Sequence, residues 1–181
     1  MRLAFARRIE QDRPMEWNWR RIFKWLGIVW GVAVAGWLIH AFAASEETQM
    51  LRVQAKFIQA LENRRWSTVD AMISKDYADE WGQGADEVKG TMRELLKGFF
   101  VLSLDSQLAN ARTATGLGYV KAKIKVEGSG AGVSSMVMST ANGLKQPWVF
   151  HWHKRGRWPW SWELVQIHND GLDHGRIPDS R

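Results

Sequence analysis

The chain has no cysteine in 181 residues. That excludes a disulfide framework, a thiolate metal site and a cysteine nucleophile. Proline is scarce at 4 and tyrosine at 2, against 12 tryptophans. Acids are thin where a catalytic set would need them: from Tyr119 to Trp162 the only carboxylate is Glu127. No serine triad and no phosphate-cradling glycine loop can be assembled from the sequence. With 45% apolar and 24% charged residues, the composition excludes wholesale disorder, collagen-like repetition and a multi-span membrane protein. The length suits one ordinary domain plus an appendage.

The formal charge of +6 is unevenly placed. Residues 1–24 carry seven basic and three acidic side chains, a net of +4, while the remainder nets only +2. The basicity is therefore mainly an N-terminal property. It does not form a nucleic-acid footprint across the fold, and no nucleic-acid partner is expected.

Residues 25–44 read WLGIVWGVAVAGWLIHAFAA, with no formal charge when His40 is neutral. As a helix this run spans about 30 Å, the thickness of a bilayer's hydrocarbon core. Trp17, Trp19 and Trp25 suit the headgroup layer at one end, and the basic cluster precedes the run. These features predict a single-pass anchor in the cell inner membrane, with the lipid bilayer as a partner, a basic cytoplasmic tail at 1–24 and an exported domain at 45–170. Ala41-Phe42-Ala43 also fits a signal-peptidase site, so a cleaved signal peptide is the competing reading. Gly27 and Gly31 form a GxxxG pair, a candidate helix–helix contact.

Helical periodicity follows from about Glu47 to Arg64, with Met50, Leu51, Phe57, Ile58 and Leu61 on one stripe. Ser67 with Asp70 reads as a capping box for a short second helix, and a third starts near Asp86. The period then changes to two. Phe100–Leu104, Val120–Val126, Met136–Met138, Trp148–Trp152 and Trp162–His168 read as strands, with a Gly128–Gly132 turn between the second and third. The expected class is α+β, three helices packed on a curved antiparallel sheet. A frayed tail is expected over 171–181.

This order resembles the nuclear transport factor 2-like domain, a cone-shaped fold shared with ketosteroid isomerases. The segments that carry the resemblance are FIQALENRRWSTVDAMISKDY (57–77) and PWVFHWHKRGRWPWSWELVQI (147–167). With the anchor added, the layout also resembles the bitopic inner-membrane assembly subunit of type IV secretion systems, although that group's Asn-Pro-x-Gly motif is missing here. The resemblance implies a domain that can form a homodimer through the outer face of its sheet. Steroid-isomerase-type relatives use a tyrosine on the first helix with acids in an apolar pocket, and the first helix here has no Tyr.

His151, His153 and His168 suggest a metal site, but aligning Phe150 with Leu164 and Trp152 with Trp162 puts His151 opposite Glu163. His168 then lies roughly 17 Å further along the strand, out of ligand reach. A two-His site with Glu163 survives geometrically, but solvent-facing or locally bonded histidines are expected instead, with no metal and no cofactor. Tyr77, Trp81, His151 and Glu163 make a candidate ligand pocket at a cone mouth, which leaves a small-ligand or hydrolase/isomerase-type site as the alternative. Trp158 and Trp160 flank Pro159 at a turn and are candidate anchors for a protein partner. The leading expectation is a membrane-anchored, non-catalytic interaction or assembly module acting outside the cytoplasm.

Overall fold

The computed structural model describes residues 19–172; within its first helix, the side chains of 19–22, 24, 27, 38 and 40–43 fall outside that description. The chain forms two compact units, 1–40 and 41–181. Helix α1 (Trp19–Ala43) lies in the first as far as residue 40. It exposes Trp25, Leu26, Ile28, Val29, Trp30, Val32, Trp37 and Ile39, with Trp30 at 73%. A Cβ added at Gly31 would meet nothing within 4 Å. Among the described residues, no helix is long and apolar enough to cross a membrane. The expected span includes Gly27, Leu38, His40, Ala41, Phe42 and Ala43, whose side chains lie outside the described set. The tails 1–18 and 173–181 lie outside it too.

In the second unit, α2 (Glu46–Glu62) starts where Ser45 Oγ accepts the Thr48 N–H at 3.2 Å, with Glu46 and Glu47 in the first turn. Its buried stripe of Met50, Val53, Gln54, Phe57, Ile58 and Leu61 faces the core. The helix stops at Glu62, short of the expected Arg64. Arg64 adopts φ 52°, and its guanidinium donates to the Phe99 carbonyl instead. Helix α3 (Trp66–Met72) begins two residues too early for the expected capping box. Arg65 is its cap, Ser67 lies inside the helix, and Asp70 pairs with Arg93 at 2.5 Å. Helix α4 (Ala85–Lys97) opens with Glu87 accepting the Gly84 N–H at 2.6 Å.

Strands β1 (Phe99–Ala114), β2 (Leu117–Gly130), β3 (Trp148–Lys154) and β4 (Trp162–His168) form one sheet in sequence order, antiparallel throughout. Thr115 and Gly116, both at positive φ, close a two-residue β1–β2 turn, the arrangement that matches strand twist. At Gly128, with φ 155°, a Cβ would lie 2.1 Å from the Val101 carbonyl, so the strands can approach there only because this residue is glycine. Val120, Phe150, Trp152, Trp162, Leu164 and Ile167 face the helices. Phe57 meets Phe150 and Trp152 edge-on at centroid distances of 6.5 and 5.8 Å. Burying each such side chain contributes roughly 1.5–3 kcal/mol.

Two expectations are corrected. The segment with Met136 and Met138 is not a strand but helix α5 (Ser134–Gly143), which buries Ser134 and leaves Met136 60% exposed. Its Asn142 amide accepts the Val126 N–H and donates to the Val126 carbonyl, both at 2.8 Å. β3 pairs with β2 only as far as Ala122, so this side chain satisfies backbone groups that strand pairing leaves open. The β3–β4 register changes the second expectation: it lies two residues from the expected alignment, and a shift after His151 adds one more. Trp152 pairs with Leu164 and Phe150 with Ile167, so His151 faces Gln166 while His153 faces Glu163. The extra residue, Val165, is a β-bulge, which simple alternation does not anticipate.

Candidate functional site

The residues after α3 run along the open edge of β4. Ile73 bridges Leu164, the Ser74 N–H donates to the Leu164 carbonyl at 2.9 Å, and the Ala78 N–H to the Val165 carbonyl at 3.1 Å. This backbone pairing carries the acidic–aromatic segment 76–84 to a fixed place beside the sheet. Asp79 then organises the segment. Its Oδ1 accepts the N–H groups of Trp81 at 3.0 Å and Gln83 at 2.8 Å, and its Oδ2 accepts the Tyr77 hydroxyl at 3.2 Å. The turn closes at Gly82, φ 79°. His168 lies between Glu80, 2.8 Å from Nδ1, and Asp170, 2.5 Å from Nε2, which ties the segment to the end of β4.

A cavity of about 490 Å³ opens between this segment, α4, β3 and β4. Tyr77, Asp79, Trp81, Gln83, Val88, Thr91, Met92, Leu95, Trp148, Ile167 and Leu172 line it. Trp81 and Trp148 form a near-perpendicular corner, with centroids 6.4 Å apart and planes at 68°. Tyr77 is 3% exposed, and its hydroxyl is held well above the usual phenol range, first by burial and then by the Asp79 charge. The phenol is therefore a donor at any physiological pH and not a base.

The four residues expected to share one pocket do not all meet. Tyr77 and Trp81 line this cavity. His151 lies on a different one, of about 470 Å³, with Arg112, Leu117, Tyr119 and Gln166. Its ring sits 6.4 Å from that of Tyr119. Burial is the main cause that lowers its pKa, with the His168 charge next. Glu163 lines neither cavity and ion-pairs with Arg155 at 3.4 Å, in a cluster that also takes in Asp76. Trp158 and Trp160 stack on each other at 5.1 Å and 20°, about half exposed, on either side of Pro159 in the sequence, which is itself buried. Gly27 falls outside the described side chains. Among the described residues, no group of three His, Asp or Glu could hold a metal ion.

Sequence reasoning missed the contributions of Trp148, Thr91 and Met92 to the cavity. The stripe of α4 reads as core, yet Leu95 is 39% exposed and faces the opening along with Met92. No sequence signal marks this, since the helix is clearly amphipathic and only its packing shows that Val88 alone is buried.

Solved structures share this architecture. An NTF2-like protein of unknown function from Pseudomonas putida KT2440 superposes with a TM-score of 0.50 at 12% identity, over 68% of this chain and 84% of that one. The fold is NTF2-like. A CaMKII hub from S. rosetta gives a TM-score of 0.52 at 14% identity, over 70% and 96% of the two chains. Bd1075 from Bdellovibrio bacteriovorus gives 0.52 at 10% identity, over 67% of this chain, which spans only 39% of that longer protein. No protein-family model matches the chain, and no curated protein matches it in sequence. At these identities the likeness speaks for the NTF2-like fold and not for an activity.

Proposed function

We propose that this chain is a membrane-anchored, non-catalytic interaction module that presents an NTF2-like domain outside the cytoplasm of a cell with an inner membrane. The observation that carries the reading is α1, a 25-residue helix most of whose described large apolar side chains are exposed and form part of a separate compact unit. Bare apolar surface on that scale is costly in water and favourable in lipid. The uncharged run 25–44 and the basic residues before it supply the length and the orientation. Gly27 and Gly31 would let two such helices approach closely. The exported domain acts on a protein partner or a second copy of itself. The stacked Trp158–Trp160 pair provides large, rigid contact area for it.

The test is chemical cross-linking of the full chain in membranes, comparing wild type with Trp158→Ser/Trp160→Ser. Loss of a cross-linked species with membrane association intact is expected. An unchanged cross-linking pattern would remove the indole pair from the interface.

A second reading has one specific observation behind it. The cavity at Tyr77, Trp81 and Trp148 is open and mostly apolar, with Tyr77, Asp79, Gln83 and Thr91 as its few polar side chains. That is the form of a small-ligand site. The groups on it suit binding better than turnover. Its carboxylate, Asp79, is engaged with three donors, and its phenol stays protonated.

A further inference from the structure

We propose that the Tyr77–Trp81–Trp148 cavity binds a small organic cation, a quaternary or tertiary ammonium group on a short apolar body. The proposal rests on the second reading above, that this cavity takes a ligand, and adds the chemistry of that ligand.

Three aromatic side chains line the cavity, and two of them, Trp81 and Trp148, stand as near-perpendicular walls. Aromatic faces attract cations electrostatically, indole most strongly, and a corner of rings is the arrangement that holds alkylated ammonium groups. Asp79 is the one charged side chain in the lining. Its hydrogen bonds come from a hydroxyl and two backbone N–H groups, all neutral, so they fix the carboxylate in place without cancelling its charge. No Lys, Arg or His lines the same space, so the local field is negative and an anionic ligand is disfavoured.

The remaining polar capacity also bears on ligand class. Gln83 Nε2 donates to Thr91 Oγ1 at 3.0 Å, so these two polar side chains partner each other. Val88, Met92, Leu95 and Ile167 complete an apolar surround. A primary ammonium group would need several acceptors to replace its water. An alkylated one needs few, and its methyl groups fit the apolar walls. The volume, about 490 Å³, lies within the range of small-molecule sites.

The test uses the full chain, purified in a nonionic detergent and titrated calorimetrically with choline. The comparison ligand is 3,3-dimethylbutan-1-ol, which has the same shape with carbon in place of the charged nitrogen. Choline should bind at least about tenfold more tightly. Asp79→Asn and Trp81→Leu should each abolish that preference, and near-UV circular dichroism reports whether each variant keeps its fold. Equal binding of the two ligands would overturn the cation assignment and leave the cavity as a ligand site. Binding of neither at millimolar concentration would overturn both. The wild-type comparison stands even if a variant fails to fold.

Discussion

Replacing Trp152 with phenylalanine should expose how far one buried polar contact constrains the core. Trp152 is fully buried, and its Nε1 donates to Gln54 Oε1 at 2.9 Å across the interface between α2 and β3. Gln54 is 4% exposed and its Nε2 has no hydrogen-bond partner, so the indole is the amide's one side-chain contact of this kind among the described residues. A phenyl ring keeps the edge contact with Phe57 but removes the donor. Leaving Oε1 buried and unpaired costs about 1–3 kcal/mol. Losing roughly 40 Å³ of indole adds about 1 kcal/mol at ~24 cal/mol per Å³ of cavity. The sum, about 2–4 kcal/mol, should lower the urea midpoint by on the order of 1–2 M. Gln54→Leu in the Trp152→Phe background replaces an unpaired amide with an apolar group, and should recover roughly 1–2 kcal/mol. The assay is urea denaturation of the detergent-solubilised chain, followed by near-UV circular dichroism. If Gln54→Leu destabilises the single variant further, the amide is not held by the indole and the reasoning fails.

Two further outcomes are expected. Gly128→Ala should cost about 2–4 kcal/mol, because its Cβ would fall 2.1 Å from the Val101 carbonyl at φ 155°; a thermal shift within error would show that the β1–β2 pair can relax there. Burial lowers the His151 pKa in the folded domain, so the unfolded chain binds the proton more readily. The His151 contribution to stability should be complete above about pH 6.5 and decline as pH falls through the lower folded value; His151→Gln should flatten that part of a melting-temperature profile, and an unchanged slope would assign it to other groups.

The helical half of the second unit was legible because its signals are local. The stripe of α2 and the start of α4 near Asp86 are set by residues within a few turns of each other. Helix α5 was not legible. Ser134–Gly143 has a methionine pair at strand spacing and only one buried residue, and what fixes it is the Asn142–Val126 contact, 16 residues apart. The β3–β4 register was misread for a related reason: Trp148, Phe150 and Trp152 reveal which residues face inward, but a slip of two residues keeps the same faces inward and leaves that pattern unchanged. That two-residue slip, with one more residue from the bulge, separates His151 from Glu163. Tyr77 and Trp81 could be picked out from the acidic–aromatic segment alone. Trp148 and Met92 join them only through tertiary packing.

The proposed anchor underlies the leading reading of function, and topology mapping tests it most directly. A reporter that folds only outside the cytoplasm, fused after Arg181, should be active and should stay with the membrane through alkaline carbonate extraction. A fusion active only in the cytosol, or one released by carbonate, would contradict the account.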